Sequence, residues 1–93
     1  MGRPSRLLPA QLSGSPWPDT PSDDELAEVA RRFVVNVRSA MGSRSIRAVA
    51  LECGVGNVTL SNVLAGKAWP DLATIARLER GLGQDLWPGR SDT

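Results

Sequence analysis

The sequence predicts an all-α domain of four to five helices behind a flexible N-terminal tail. Three observations carry that expectation. Apolar residues recur every three to four positions through each segment between about Asp23 and Gly81, and nothing alternates as a strand would. The breaks between segments fall on helix-ending or helix-starting residues: Gly42, Ser45, Gly54, Gly56, Gly66, Asp71 and Gly83. Five of the seven prolines, Pro4, Pro9, Pro16, Pro18 and Pro21, crowd into the first 21 residues.

In chain order, residues 1–21 read as the flexible tail, because prolines at that density preclude a helix or a paired strand. Arg3 and Arg6 have the character of a basic arm reaching a DNA minor groove, or of an ordinary disordered terminus. Leu7, Leu8, Leu12 and Trp17 are more apolar than such a tail requires, so one of them is expected to fold back onto the domain. Ser22-Asp23-Asp24-Glu25 has the form of a capping box, with serine as the cap and glutamate three residues on. Its carboxylates suit the positive end of the helix dipole. The helix then runs to about Met41 with Leu26, Val29, Ala30, Phe33, Val37, Ala40 and Met41 on one stripe, and Gly42 ends it. Arg31, Arg32 and Arg38 lie off that stripe, as a solvated face or as phosphate contacts.

The stretch Ile46 to Gly66 organises the rest. Ser45 caps a helix from Ile46 to Cys53, on which Val49, Ala50 and Cys53 share a face. Leu60, Val63 and Leu64 do the same on a second helix, Asn57 to Ala65, whose start at Gly56 lacks a capping side chain. Ala50 supplies little bulk at the crossing, and Gly54 tolerates positive φ at the corner. This is a helix-turn-helix. Asn57, Val58, Thr59, Ser61 and Asn62 stay off its apolar face. Beyond Gly66-Lys67-Ala68-Trp69-Pro70, Asp71 caps a helix from Leu72 to about Gly81, with Leu72, Ile75, Ala76, Leu78 and Leu82 apolar. Trp69 is expected to cover the core edge. Asp85-Leu86-Trp87 is read as a short final turn stopped by Pro88, with Trp87 either a lid on the core or part of a two-fold contact; residues 89–93 are expected to fray.

Ala50 with Gly54, the run Val55-Gly56-Asn57-Val58-Thr59-Leu60-Ser61, the closing Gly66 and Pro70-Asp71-Leu72 together resemble the λ-repressor-like (Cro/Xre-type) DNA-binding family. The resemblance spans roughly Glu25 to Trp87 and makes 22–88 the DNA-binding unit. It implies that helix 57–65 enters the major groove and that the N-terminal end of helix 46–53 meets backbone phosphate. Asn57 and Val58 then fall at base edges, where asparagine pairs with adenine and valine packs on a thymine methyl. Ser61 and Asn62 follow one turn later, and Thr59 is either a base or a phosphate contact. Ser45, Arg44 and Arg47 form an anion site with exposed N–H groups, and Lys67 meets phosphate. One departure stands out: the family usually has glutamine at the first position of the helix that starts here with Ile46, and isoleucine makes no hydrogen bond.

Composition excludes several function classes. The 93 residues suit one domain, which at this size buries roughly 60–65% of its chain surface. With no histidine, no tyrosine and a single cysteine, Cys53, the chain lacks the residues for histidine acid–base chemistry, a Cys/His zinc site or an internal disulfide. No catalytic constellation, cofactor, metal site or small-molecule ligand is implied, so the reading is not an enzyme. The absence of any bilayer-length apolar run predicts a soluble chain with no membrane partner. The start carries neither a secretory signal nor, with Arg6 at its sixth position, a myristoylation signal. One thiol fits a reducing cytoplasm. Net charge is only +1, but residues 31–67 hold Arg31, Arg32, Arg38, Arg44, Arg47 and Lys67 against Glu52 alone, while Asp23, Asp24, Glu25 and Glu28 concentrate negative charge just before them. The positive block coincides with the helix-turn-helix, as a phosphate-facing surface requires.

The expectation is a transcriptional regulator, cytoplasmic and nucleoid-associated, that binds double-stranded DNA as a weak homodimer. The rival is a protein-interaction module, an antitoxin or accessory factor that binds a partner protein through Val35, Leu51, the tail leucines, Trp17 and Trp87.

Overall fold

A computed structural model describes residues 7–89. Among them the order is a single 3-10 turn at Pro9–Leu12, then α1 (Glu25–Met41), α2 (Ile46–Cys53), α3 (Asn57–Leu64) and α4 (Leu72–Leu82), with no strand. α2 packs on α3 and α4, and α1 lies across α3, α4 and the 3-10 turn. The core is assembled from Phe33, Val34, Val37 and Met41 of α1, Val49, Ala50 and Cys53 of α2, Leu60, Val63 and Leu64 of α3, and Ile75 and Leu78 of α4. Val55 and Leu86 close it. The all-α class is as the sequence predicts.

Local chemistry sets the helix ends. Ser45 Oγ accepts from Ala48 N–H at 3.1 Å and starts α2. Asp71 does the same for Thr74 N–H at 2.7 Å and starts α4. Gly54, at φ 73°, turns the chain out of α2 in the left-handed region that a side chain would disfavour.

Several expectations are corrected. α1 is capped by Asp24, which accepts from Ala27 N–H at 2.9 Å. Ser22 is occupied elsewhere: its hydroxyl donates to the Leu12 carbonyl, and Glu28, rather than Glu25, reaches back to its N–H. On α1, Leu26 is exposed while Ala27 and Val34 are buried, because the N-terminal segment packs beside the first turns. Leu72 and Ala76 of α4 are exposed, and Thr74 takes a buried position. Residues 85–89 form no helical turn. They are pinned instead by the Glu79 carboxylate, which accepts from Leu86 N–H and Trp87 N–H at 2.7 and 2.9 Å and is held below the usual carboxylate range by those two bonds. Leu86 is thereby buried, and Trp87 lies tilted over Phe33 with ring centroids 5.6 Å apart.

The largest difference concerns the tail. Arg3 and Arg6 lie outside the described residues, as do residues 90–93. Residues 7–21, however, are folded against the domain. Pro9 and Pro18 are buried, and Trp17 packs on the core margin assigned from sequence to Trp69. Trp69 instead donates to the Leu7 carbonyl at 2.9 Å. Arg31 donates to the Pro18 carbonyl at 3.0 Å. Proline blocks regular backbone pairing here, as expected, but it does not block packing, and its fixed φ lowers the entropy lost on ordering.

Candidate nucleic-acid interface

α3 is eight residues long, and its inner side is wholly committed: Leu60, Val63 and Leu64 are each at most 2% exposed. With about 100° between successive residues, Asn57, Ser61, Val58 and Asn62 fall in that order across an outer arc of about 140°. All four are exposed, and Val58 keeps 69% of its surface in solvent. Thr59 is exposed too, but it lies about 60° beyond Asn62, on the far shoulder of the arc. None of the polar side chains on this helix is engaged in a hydrogen bond among the described residues. Gly56 brings no capping group, so the first N–H groups of α3 also face outward.

The remaining sequence-predicted residues divide into two kinds. Arg47, in the first turn of α2, and Lys67, just past α3, are exposed and make no ion pair among the described residues. The Lys67 N–H donates to the Asn62 carbonyl at 2.9 Å, and Gly66 N–H to Val63 O at 3.1 Å, so the turn out of α3 fixes where Lys67 begins. Ser45 and Arg44 are different. The Ser45 oxygen already serves Ala48 N–H. Arg44 donates from Nε to Met41 O at 3.2 Å, from Nη2 to Ala40 O at 3.1 Å and from Nη1 to Glu52 at 2.6 Å. Its guanidinium closes the C-terminal end of α1 and bridges to α2. The structure therefore does not group Arg44 with the unengaged cations.

At the other end of α3 stands an arrangement that sequence reasoning did not find. The last four carbonyls of a helix have no partner inside it. Ser61, Asn62 and Val63 find theirs in the N–H groups of Ala65, Lys67 and Gly66. Leu64 O is met from a distance by two side chains, Trp17 Nε1–H at 2.9 Å and Arg38 Nη2–H at 3.1 Å. The Gly66 carbonyl accepts from Ala10 N–H at 3.1 Å. The only signal of this in sequence is a tryptophan placed in a proline-rich segment.

The Cys53 thiol, which faces α4, is pushed up by burial and then by Glu52 beside it, so it stays protonated at neutral pH. Among the described residues no group of three His, Cys, Asp or Glu is placed to hold a metal ion, and no helix is long and apolar enough to cross a membrane.

Residues 41–86, from the last residue of α1 through Leu86, match the family model described as Helix-turn-helix. No curated protein matches the chain. With the motif, its glycine corner and its outward helix face all inside it, the matched segment 41–86 is a helix-turn-helix of the Cro/C1 type, that of a family of DNA-binding regulators.

Proposed function

We propose that the protein is a sequence-specific transcriptional regulator that reads the major groove with α3 and acts by occupancy of its site rather than by catalysis. The observation that supports this most is the outer arc of α3. In a chain whose buried side-chain polar atoms all have partners among the described residues, Asn57, Ser61 and Asn62 stand exposed with their side chains unengaged. Asn57 and Val58, at the entry end, face base edges; Ser61 and Asn62 extend the contact by one turn, and Thr59 reaches towards backbone. Arg47 and Lys67 meet phosphate on either side, Ser45 helps to present the N–H groups of α2, and Arg44 contributes chiefly by holding α1 to α2. The protein works in the cytoplasm on the nucleoid.

One recognition helix reads too few base pairs to select a site in a genome, so the proposal includes a weak homodimer assembled on DNA, with half-site centres about one helical turn apart, roughly 34 Å. The experiment is selection of bound duplexes from random DNA, followed by sedimentation on the selected site. A recurring motif bound with a steep salt dependence is the expected result. Failure to enrich any sequence, with binding indifferent to salt, overturns the reading and moves weight to a partner protein.

A further inference from the structure

We propose that residues 7–22 are part of the DNA-reading machinery, with Trp17 as a positioning residue that fixes the tilt of α3. This rests on α3 being the reading helix. The two ends of α3 are held by different means. Its entry is set by the α2–α3 turn, through the left-handed Gly54. Its exit is held from outside the family-matched segment, by Trp17 and Arg38 on the Leu64 carbonyl and by Ala10 on the Gly66 carbonyl. Leu64 is 1% exposed, so water does not readily replace either donor.

The fit around the exit is close. A Cβ on Gly66 would stand 2.6 Å from the Ala10 Cβ and 2.7 Å from Trp17 Cε2, so glycine there lets the segment seat directly on the turn. Beneath it, Ser22 ties the segment to itself through the Leu12 carbonyl, and Arg31 of α1 ties it through Pro18.

Eight residues make a helix about 12 Å long. Freed at its exit, such a rod pivots about the turn, and a swing of about 10° carries Ser61 and Asn62 sideways by about 1 Å. Directed base contacts need placement to roughly 0.5 Å, whereas phosphate contacts through long cations accommodate such a shift. The clamp therefore governs the ratio of specific to non-specific binding more than it governs binding itself.

The test uses the full chain, with Trp17→Phe, which keeps a ring in place but removes the N–H, with Arg38→Met, and with the two combined. Binding is measured on the selected duplex and on an unrelated duplex, with thermal melting and amide exchange of α3 recorded for each protein. Each single variant leaves Leu64 one donor, so specific affinity should fall a few-fold. The pair strips the carbonyl, and specific affinity should fall about 30-fold or more, beyond the product of the single effects. Non-specific affinity should stay within about two-fold, and exchange in α3 should rise. A folded double variant that keeps the wild-type specific-to-non-specific ratio overturns the proposal. If the double variant does not fold, an unchanged ratio in Trp17→Phe overturns it alone. Should the wild-type chain itself select no sequence, the DNA reading and this role fall together, and exchange in α3 still reports whether the clamp holds the helix.

Discussion

Gly81 of α4 lies directly against Cys53 of α2. A Cβ built on Gly81 would collide with Cys53 Sγ and stand 2.9 Å from both Cys53 Cα and Cys53 Cβ. Glycine inside a helix ordinarily costs about 1 kcal/mol relative to alanine, so Gly81→Ala would stabilise an isolated helix. Here the backbone of α2 occupies the space, and overpacking of this kind costs about 1–3 kcal/mol. The expected outcome is a net loss in urea unfolding. Adding Cys53→Ala should recover only part of it, since the Cα and Cβ contacts remain. Stabilisation by Gly81→Ala would show that the helices do not cross this closely.

Glu28 joins α1 to the N-terminal segment. Its carboxylate accepts from Arg31 Nε and Nη2 at 2.8 and 2.6 Å, from Arg32 Nε at 3.1 Å and from Ser22 N–H at 2.8 Å. The Arg31 hydrogen bonds chiefly, against the opposing effect of burial, hold its pKa down to about 2. Because the folded value lies below the ordinary carboxylate value of about 4.3, the stabilisation is complete above that pH. It is lost as pH falls towards 2. Glu28→Gln should therefore cost about 1.5–3 kcal/mol at pH 7, as for hydrogen bonds to a charged group. The gap from wild type should stay flat between pH 7 and 5.5 and shrink below about pH 4. A gap independent of pH would show that the charge is not what holds the segment.

How far the sequence revealed the molecule follows from the range of each interaction. Ser45, Gly54, Asp71 and Gly83 act on groups within five residues of themselves, and they mark helix ends in the structure as they do in the sequence. Periodicity likewise separates the inner and outer sides of α3. Periodicity names a face, however, without naming what covers it. Leu26 and Leu72 lie on faces that read as apolar, yet both side chains are left exposed, Leu26 even though the N-terminal segment packs beside the first turns of α1. Ser22 reads as the cap of α1, but its hydroxyl is taken by the Leu12 carbonyl, ten residues away, and Asp24 caps the helix instead. Arg44 and Trp17 are the clearest cases. Their partners, Glu52 across a turn and Leu64 47 positions along the chain, are set only by the tertiary fold.

Asn57 provides the direct test of base reading. It is exposed in the first turn of α3, and its side chain makes no hydrogen bond among the described residues, so its removal should leave stability within about 0.5 kcal/mol of wild type. On the selected site Asn57→Ala should cost about 1–3 kcal/mol and relax preference at one position, with non-specific binding nearly unchanged. Competition gel shifts against duplexes substituted at each position measure both effects. An equal loss on every duplex would assign Asn57 to the phosphate backbone.

The cations separate by the same logic, because their partners in the free protein differ. Lys67 and Arg47 make no ion pair among the described residues, so each phosphate neutralised by one of them releases counterions without breaking one of those pairs. Lys67→Ala and Arg47→Ala should each weaken binding about uniformly across sequences and flatten the salt slope by about 1. Arg44 presents the opposite case. Its exposed pair with Glu52, at 43% and 49% side-chain exposure, contributes about 0–1 kcal/mol. Its bonds to the Ala40 and Met41 carbonyls serve the end of α1, where Met41 O also accepts the Arg44 N–H at 3.2 Å. Arg44→Ala should therefore lower the unfolding free energy by about 1 kcal/mol and leave the salt slope close to that of wild type. Titrations of each variant from 50 to 200 mM salt, beside urea unfolding, distinguish the two roles. A slope reduced by Arg44→Ala as much as by Lys67→Ala, at unchanged stability, would mean that the guanidinium leaves Glu52 and α1 to take a phosphate.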